Sequence, residues 1–585
     1  MTAGGSIQAR RRVWPQLAAV VVGGASFNSL LAIPIDRPRV FGDELIYWQL
    51  SRSLAWAGDF TLRSHPAPRY GLLYPALLAV AQRLGGDQAT AFTIAQGLNA
   101  VIFSLAAVPV YLVASRVLGR RYALLAGLLA VVLPSCIYTS TVMTENAFYP
   151  LFCTCALLMV RALERPSAAR QLLVAASAAA AFLVRAQGVV LLPSYLLAAI
   201  LFALTATREG RASALVACLR RHAPTIAVLA LAGVFAAVVR GRSTLGPYHV
   251  LVTSYGIRPL VHWALANVAD FELYLGVIPL AAFGVLLVQA LSSPSVSAEL
   301  RRVVLLTACL GAGLLATVAA LSSSPYGLGR VHERNLFYLA PLVLISFFAW
   351  LEAGLPRPRD TRTAVALALV LLPLSIPAAA VGMSGEDGIA LLVWEDMKLR
   401  QTRAIDGMVL VAAILVAVFL RARRPAIPLG VCLVALAAAL AAGESHAVDS
   451  MSFYPGQWRD FGWIDRTVGP DARVVALWAT PQSHYLGVEG LWSDEFYNRS
   501  VRDVASARGP LPDGMPAEAM TIRANGCLEA AFPWTPQYAV VEAGRPLTAP
   551  VARVSPSKRA ILYRLDARAS DRRCFARLKS GSVGP

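Results

Sequence analysis

Blocks of roughly 17 to 25 apolar residues recur along almost the whole chain, separated by short polar connections, and this repeat constrains the fold more than any other feature. A helix needs about 20 apolar residues to cross the hydrocarbon core of a bilayer, so each block is read as a membrane span. The blocks lie near 13–35, 88–115, 122–142, 146–163, 169–184, 188–207, 223–240, 271–292, 303–322, 335–352, 363–383, 405–420 and 425–443, about thirteen in all. Across 585 residues, 57% are hydrophobic and only 15% charged. That balance belongs to an α-helical polytopic membrane protein and excludes an ordinary water-soluble globule.

The charge is strongly basic, with 53 Lys and Arg against 34 Asp and Glu. A nucleic-acid partner is not implied, because the arginines sit in short loops between spans, where the positive-inside bias accounts for them. One set of alternate loops carries Arg10/Arg11/Arg12, Arg116/Arg120/Arg121, Arg161/Arg165/Arg170, Arg208/Arg211/Arg220/Arg221, Arg301/Arg302, Arg357/Arg359/Arg362 and Arg421/Arg423/Arg424. The other set, at 36–87, 142–146, 185–188, 241–270, 323–334 and 384–404, mixes acids, aromatics and His with its Arg. This predicts a multi-pass cell-membrane protein with a cytoplasmic N-terminus and an extracytoplasmic C-terminus, which requires an odd number of spans. The first span, which follows Arg10-Arg11-Arg12, is expected to stay uncleaved, since no small-residue cleavage site follows it.

Residues 1–445 form the expected membrane module, with a long first external loop at 36–87. In that loop Tyr70 to Leu78 reads as an apolar helix too short to span, lying in the interface. Residues 446–585 change character and alternate β-like runs (Val474–Trp478, Tyr538–Val541, Ala560–Leu565) with Pro/Gly/Asp turns, which predicts a C-terminal extracytoplasmic α/β domain. Most cysteines stand alone inside apolar runs, as small buried hydrophobes do. Cys527 and Cys574 fall in the polar tail, where a disulfide and two free thiols are both open readings.

Four features on the predicted outer face carry chemistry. Asp43 and Glu44 directly follow the first span, and a carboxylate at that depth is costly unless it has a function. On a helix adjacent side chains diverge, so the two cannot duplicate one another; the plainer reading is a helix cap with a dipole-favoured acid beside it. Glu145, in Met143-Thr144-Glu145-Asn146, offers a second carboxylate at the same face, with a Thr144-capped helix start as its plain reading. Arg185, in Val184-Arg185-Ala186-Gln187-Gly188, suits bidentate phosphate binding, or else snorkels to the interface. Arg330, His332 and Arg334 precede the aromatic run Leu336-Phe337-Tyr338 and make a cradle for a lipid-linked phosphate, with Arg334 nearest the membrane.

In this order the four features resemble the GT-C superfamily of membrane glycosyltransferases, which use polyprenyl-phosphate sugars, and within it the protein O-mannosyltransferase and aminoarabinose transferase group (glycosyltransferase family 39). The acidic motif of the first external loop corresponds to Asp43-Glu44, the second external acid to Glu145, and the late motif before an aromatic helix to His332-Glu333-Arg334 through Pro341. The Ala/Arg-rich character and the C-terminal part also resemble actinobacterial enzymes of cell-envelope glycan assembly. Neither the MIR-type repeat of eukaryotic O-mannosyltransferases nor a WWD motif of oligosaccharyltransferases is found.

The resemblance implies a GT-C fold and an inverting hexosyl or pentosyl transfer from a polyprenyl-phosphate donor to a glycan, lipid or protein acceptor, among membrane lipids and without nucleic acid. Asp43 would be the base, with Glu44 and Glu145 beside it, and Arg334, His332, Arg330 and Arg185 would hold the donor phosphate. No cofactor or resident metal is expected, although paired carboxylates leave room for a divalent cation. Two other classes compete: a transporter or lipid flippase, and a membrane scaffold without catalysis. A transporter would place its charges near the bilayer midplane within internal repeats, whereas here they gather at one face.

Overall fold

The computed structural model describes residues 13–38, 41–67, 71–206, 210–238, 256–293, 296–324, 327, 329–354, a few positions between 410 and 430, and then 462–478, 485–507, 509, 511, 514–542, 546–565 and 574–579. The spans expected at 363–383, 405–420 and 425–443 lie outside the described residues, isolated positions apart, as does Tyr70.

The chain begins with α1 (Val13–Ala32) and α2 (Phe41–Trp56). A small antiparallel hairpin of β1 (Thr61–Leu62) and β2 (His65–Pro66) follows. Its tip is Arg63-Ser64, and both residues lie at positive φ, 47° and 60°. Then come α3 (Leu73–Leu84), α4 (Gln88–Ser104), α5 (Ala107–Ala114), α6 (Arg120–Val131), a 3-10 segment Pro134–Ser140, α7 (Glu145–Glu164) and α8 (Ala168–Val184). A 3-10 turn Ala186–Val190 leads into α9 (Leu191–Ala206), followed by α10 (Arg211–Arg221), α11 (Ala223–Val238), α12 (Ile257–Leu275), α13 (Ile278–Ser292) and α14 (Ala298–Ser323). Two more 3-10 turns, Glu333–Asn335 and Phe337–Leu339, precede α15 (Ala340–Glu352).

Among the described residues, five helical stretches are long and apolar enough to cross a membrane, or up to eight if each bent pair is one span. The short helix expected around Tyr70–Leu78 is α3, shifted toward the C-terminus. The span expected at 271–292 is instead two helices, α12 and α13, meeting at 115°. Gly276 stops α12 in the left-handed region at φ 82°, where a side chain would be strained, and α12 starts earlier, at Ile257. The block at 122–142 is likewise bent by 45° where α6 gives way to the 3-10 segment. Irregular backbone at membrane depth persists only where protein satisfies it, and α4 supplies the donors. Gln96 Nε2 donates to the carbonyls of Ile35 (2.8 Å) and Ser140 (2.9 Å), and Asn99 Nδ2 to that of Thr141 (2.9 Å).

The C-terminal part opens with α16 (Trp463–Val468), β3 (Val474–Trp478), α17 (Tyr485–Tyr497) and β4 (Val501–Ser506). It continues through β5 (Glu518–Ala519), β6 (Thr521–Ile522), β7 (Cys527–Glu529), β8 (Tyr538–Glu542), β9 (Val551–Val554), β10 (Ala560–Arg564) and β11 (Ala576–Arg577). Six of these strands form one sheet in the order β5-β4-β3-β8-β10-β9. β5, β4, β3 and β8 run parallel, while β10 and β9 add antiparallel. β3 is buried along its whole length, which is why its sequence is a continuous apolar run. A second sheet has the order β11-β7-β6, and a disulfide joins Cys527 of β7 to Cys574 just before β11, with Cα atoms 5.5 Å apart.

The C-terminal part packs on α2. Trp48 stacks on Phe496 with ring centroids 4.8 Å apart, and its Nε1 donates to the Phe496 carbonyl at 3.0 Å. Arg52 Nη1 donates to the carbonyls of Glu495 and Asn498 at 2.9 and 3.1 Å, closing the C-terminal end of α17, whose last carbonyls have no partner within the helix. At the hairpin tip Arg63 forks onto Glu495 at 2.8 and 2.7 Å, with both side chains 1% exposed.

Candidate active site at the start of the second helix

α2 begins at Phe41, so Asp43 and Glu44 occupy its first turn, and their side chains separate as adjacent helical positions require. Glu44 turns inward, is fully buried, and accepts a hydrogen bond from the backbone N–H of Val142 at 2.7 Å. That bond ties α2 to the turn that precedes α7. Asp43 stays at the surface of the bundle, with 48% of its side chain exposed, and meets Arg334 Nη2 at 3.4 Å.

Glu145 opens α7 and is fully buried. The side chain of Thr144 makes no capping hydrogen bond to that helix; its hydroxyl donates to Glu145 Oε2 at 3.3 Å and accepts from Arg185 Nη1 at 2.7 Å. Arg185 therefore does not snorkel. It lies at the C-terminal end of α8, folded over the start of α7, with Nη1 2.9 Å from Glu145 Oε2, Nε on Gln187 Oε1 at 2.8 Å and Nη2 on the Asn335 side chain. Arg334 Nε stands 3.9 Å from Glu145 Oε1. The four charged groups thus form one alternating chain, Asp43, Arg334, Glu145, Arg185, drawn from four separate parts of the sequence. The 36–87 loop fits closely against this corner. A Cβ on Gly71 would lie 2.1 Å from the Val184 carbonyl oxygen, so only glycine lets the approach to α3 pass the end of α8.

The other predicted phosphate ligands sit beside this chain of charges. His332 is buried, its ring Nε2 3.3 Å from the Gly327 carbonyl and its backbone N–H on Asn267 Oδ1 at 2.9 Å. Arg330 is half-buried on the same turn. No three His, Cys, Asp or Glu side chains converge into a metal-binding group among the described residues; the positive charge beside Asp43 is a guanidinium.

Three contributors were not singled out in the sequence. Asn335 anchors Arg185, and its signal was its place directly after Arg334. Tyr338, fully buried, lies within electrostatic range of Arg185, Glu145 and Arg334. Asn146 donates to the carbonyls of Tyr138 (2.9 Å), Thr141 (3.1 Å) and Met143 (3.1 Å) and so shapes the turn that presents Glu145.

Residues 64–238, a stretch that includes Glu145 and Arg185, match the family model of dolichyl-phosphate-mannose-protein mannosyltransferase. No curated protein matches the chain. Among solved structures the chain is similar to ArnT from Cupriavidus metallidurans bound to undecaprenyl phosphate, at 14% identity and TM-score 0.49, covering 100% of both chains. It is also similar to the Archaeoglobus fulgidus oligosaccharyltransferase tethered with an acceptor peptide, at 13% identity and TM-score 0.43, covering 90% of this chain and 69% of that one. A third likeness is to the arabinosyltransferase EmbB from Mycobacterium smegmatis, at 16% identity and TM-score 0.42, covering 77% and 42%.

Proposed function

We propose that this protein is a GT-C glycosyltransferase that moves a sugar, a hexose or a pentose, from a polyprenyl-phosphate donor to a hydroxyl of a cell-envelope glycan, lipid or protein, on the extracytoplasmic face and with inversion. The observation that supports this reading is the unequal burial of two carboxylates around one arginine. Asp43 is half-exposed and Glu145 is sealed, so only Asp43 is open to an incoming acceptor. In the transfer the acceptor hydroxyl gives its proton to Asp43 as its oxygen bonds to the anomeric carbon from one side. The bond from that carbon to the phosphate oxygen breaks on the other side, and its electron pair leaves on the polyprenyl phosphate.

The developing charge on the leaving phosphate needs fixed positive charge that is already in place. Arg334 and Arg185 supply it, with Arg330 and His332 on the adjoining turn. Glu145 does not attack the sugar; it holds both guanidiniums in position, and Glu44 anchors the helix that carries the base. A lipid phosphomonoester leaves without the charge build-up of a diphosphate, so chelation with EDTA is expected to leave turnover in place. Loss of activity restored by Mg²⁺ or Mn²⁺ would instead assign a cation to the site.

The deciding experiment is Asp43→Asn assayed with a matching polyprenyl-phosphate sugar. Loss of a general base costs about 10² to 10⁴ in rate, so turnover should fall by at least that lower factor while membrane insertion and melting temperature stay as in the parent. Near-normal turnover would end the assignment.

A further inference from the structure

Three helices that lead to the site come together again at their opposite ends. α7 runs from Glu145 to Glu164, α8 runs from Ala168 to the corner at Arg185, and α14 runs from Ala298 toward the turn that holds Arg334. Twenty residues of helix rise about 30 Å, so the Glu164 end of α7 lies about one hydrocarbon thickness from Glu145. There the protein forms a cavity of about 330 Å³ lined by Glu164, Arg165, Arg170, Glu299 and Arg302. A water molecule in the liquid takes up about 30 Å³, so the cavity has room for a phosphodiester head group.

Its charge is set by arginine. Arg116 Nη1 donates to both oxygens of Glu164, and Glu299 lies 3.9 Å from Arg302, so four guanidiniums answer two carboxylates. Arg170 spends Nη1 on the carbonyls of Arg161 (2.9 Å) and Arg165 (3.2 Å), out of five N–H donors. Arg302 is held over the Phe202 ring, 4.8 Å from its centroid, and its buried Nε has no hydrogen-bond partner among the described residues. A buried donor without a partner costs free energy, and an anionic oxygen in the cavity would satisfy it. Beside the cavity the surface is apolar. Leu173, on the face of α8 that carries Arg170 three residues earlier, is 54% exposed, as is Leu172.

An anion with a hydrocarbon tail suits this combination better than a free inorganic anion. We infer that the cavity binds the phosphate head of an anionic phospholipid from the leaflet opposite Asp43, with its acyl chains lying over Leu172 and Leu173. Basic pockets between helices are a recurring mode of lipid head-group recognition.

The test uses the full-length protein in neutral detergent, titrated with phosphatidylglycerol, phosphatidylcholine or inorganic phosphate and read by native mass spectrometry and thermal unfolding. Phosphatidylglycerol should form a retained adduct and raise the melting temperature; phosphatidylcholine and inorganic phosphate should do neither. At roughly fivefold per arginine, Arg165→Gln with Arg302→Gln should weaken phosphatidylglycerol about 25-fold. Arg165→Gln alone, at an exposed position, should weaken it about fivefold without moving the lipid-free melting temperature. Arg220→Gln with Arg221→Gln, on exposed α10, should leave binding unchanged. Undiminished binding in the Arg165 and Arg302 variants, or equal loss from the Arg220/Arg221 pair, overturns the inference. Stabilisation by inorganic phosphate that matches the lipid would make the cavity a free-anion site and overturn the lipid assignment.

Discussion

At the scale of single residues, the two site carboxylates differ in what their loss leaves behind. Glu145→Gln strands two guanidiniums in a buried setting, and removing one partner of a buried pair costs about 3–5 kcal/mol. Its expected signature is a lower melting temperature together with lost activity, whereas Asp43→Asn should lose activity alone. Thermal unfolding of both purified variants checks the contrast. Asp503 gives a prediction in pH. Burial raises its carboxyl from 3.8 to about 6, partly opposed by hydrogen bonds from Ser64 and Trp534. Both donors converge on Oδ2, at 2.7 and 2.8 Å, while buried Oδ1 has no partner among the described residues. The raised value means that the folded state holds a proton the unfolded state releases between about pH 4 and 6, so this group favours folding most at the acid end. Its contribution should shrink as pH rises through that window and stay level above it. In Asp503→Asn that part of the pH dependence should vanish, as read by melting temperature at pH 5 and pH 7.5; an unchanged profile would remove Asp503 from the account.

At the scale of elements, α2 serves two surfaces, since it carries Asp43 in its first turn and seats Phe496 on Trp48 one turn later. Trp48→Ala deletes a fully buried indole and should cost about 3–5 kcal/mol. It is expected to speed proteolysis of the C-terminal part and lower transfer with Asp43 untouched; wild-type protease resistance would show that the stack is dispensable. Periodicity and length made α7, α8 and α14 legible, because a long apolar run has few alternatives in a bilayer. The break between α12 and α13 was not legible. Hydropathy runs on across Gly276, and the stop depends on two consecutive backbone angles, φ 82° at Gly276 and φ 51° at Val277. The site was legible in its members but not in its wiring. Asp43, Glu145, Arg185 and Arg334 stand out as charges beside apolar blocks, while the pairing of Arg185 with Asn335 and the inward turn of Glu44 follow from packing between distant segments. Nor does the run around Trp48 announce Phe496, more than four hundred residues away.

At the scale of the whole molecule, the basic loops predict which ends face the cytoplasm, and labelling tests it. A membrane-impermeant maleimide applied to intact cells should react with Arg553→Cys, on exposed β9. It should reach Ala169→Cys, exposed at the start of α8, only after permeabilisation, and the five free native cysteines among the described residues are buried and should stay silent. The reverse pattern would invert the topology and with it the proposed face of catalysis.

The tip of the small hairpin near the start of the chain has one more consequence, for biosynthesis. Arg63 finds its carboxylate partner 432 residues later. At a synthesis rate of about 5 to 20 residues per second, the hairpin waits roughly 20 to 90 s for the clasp that completes it. A nascent or prematurely terminated chain therefore carries this hairpin without the carboxylate that clasps it until Glu495 has been made.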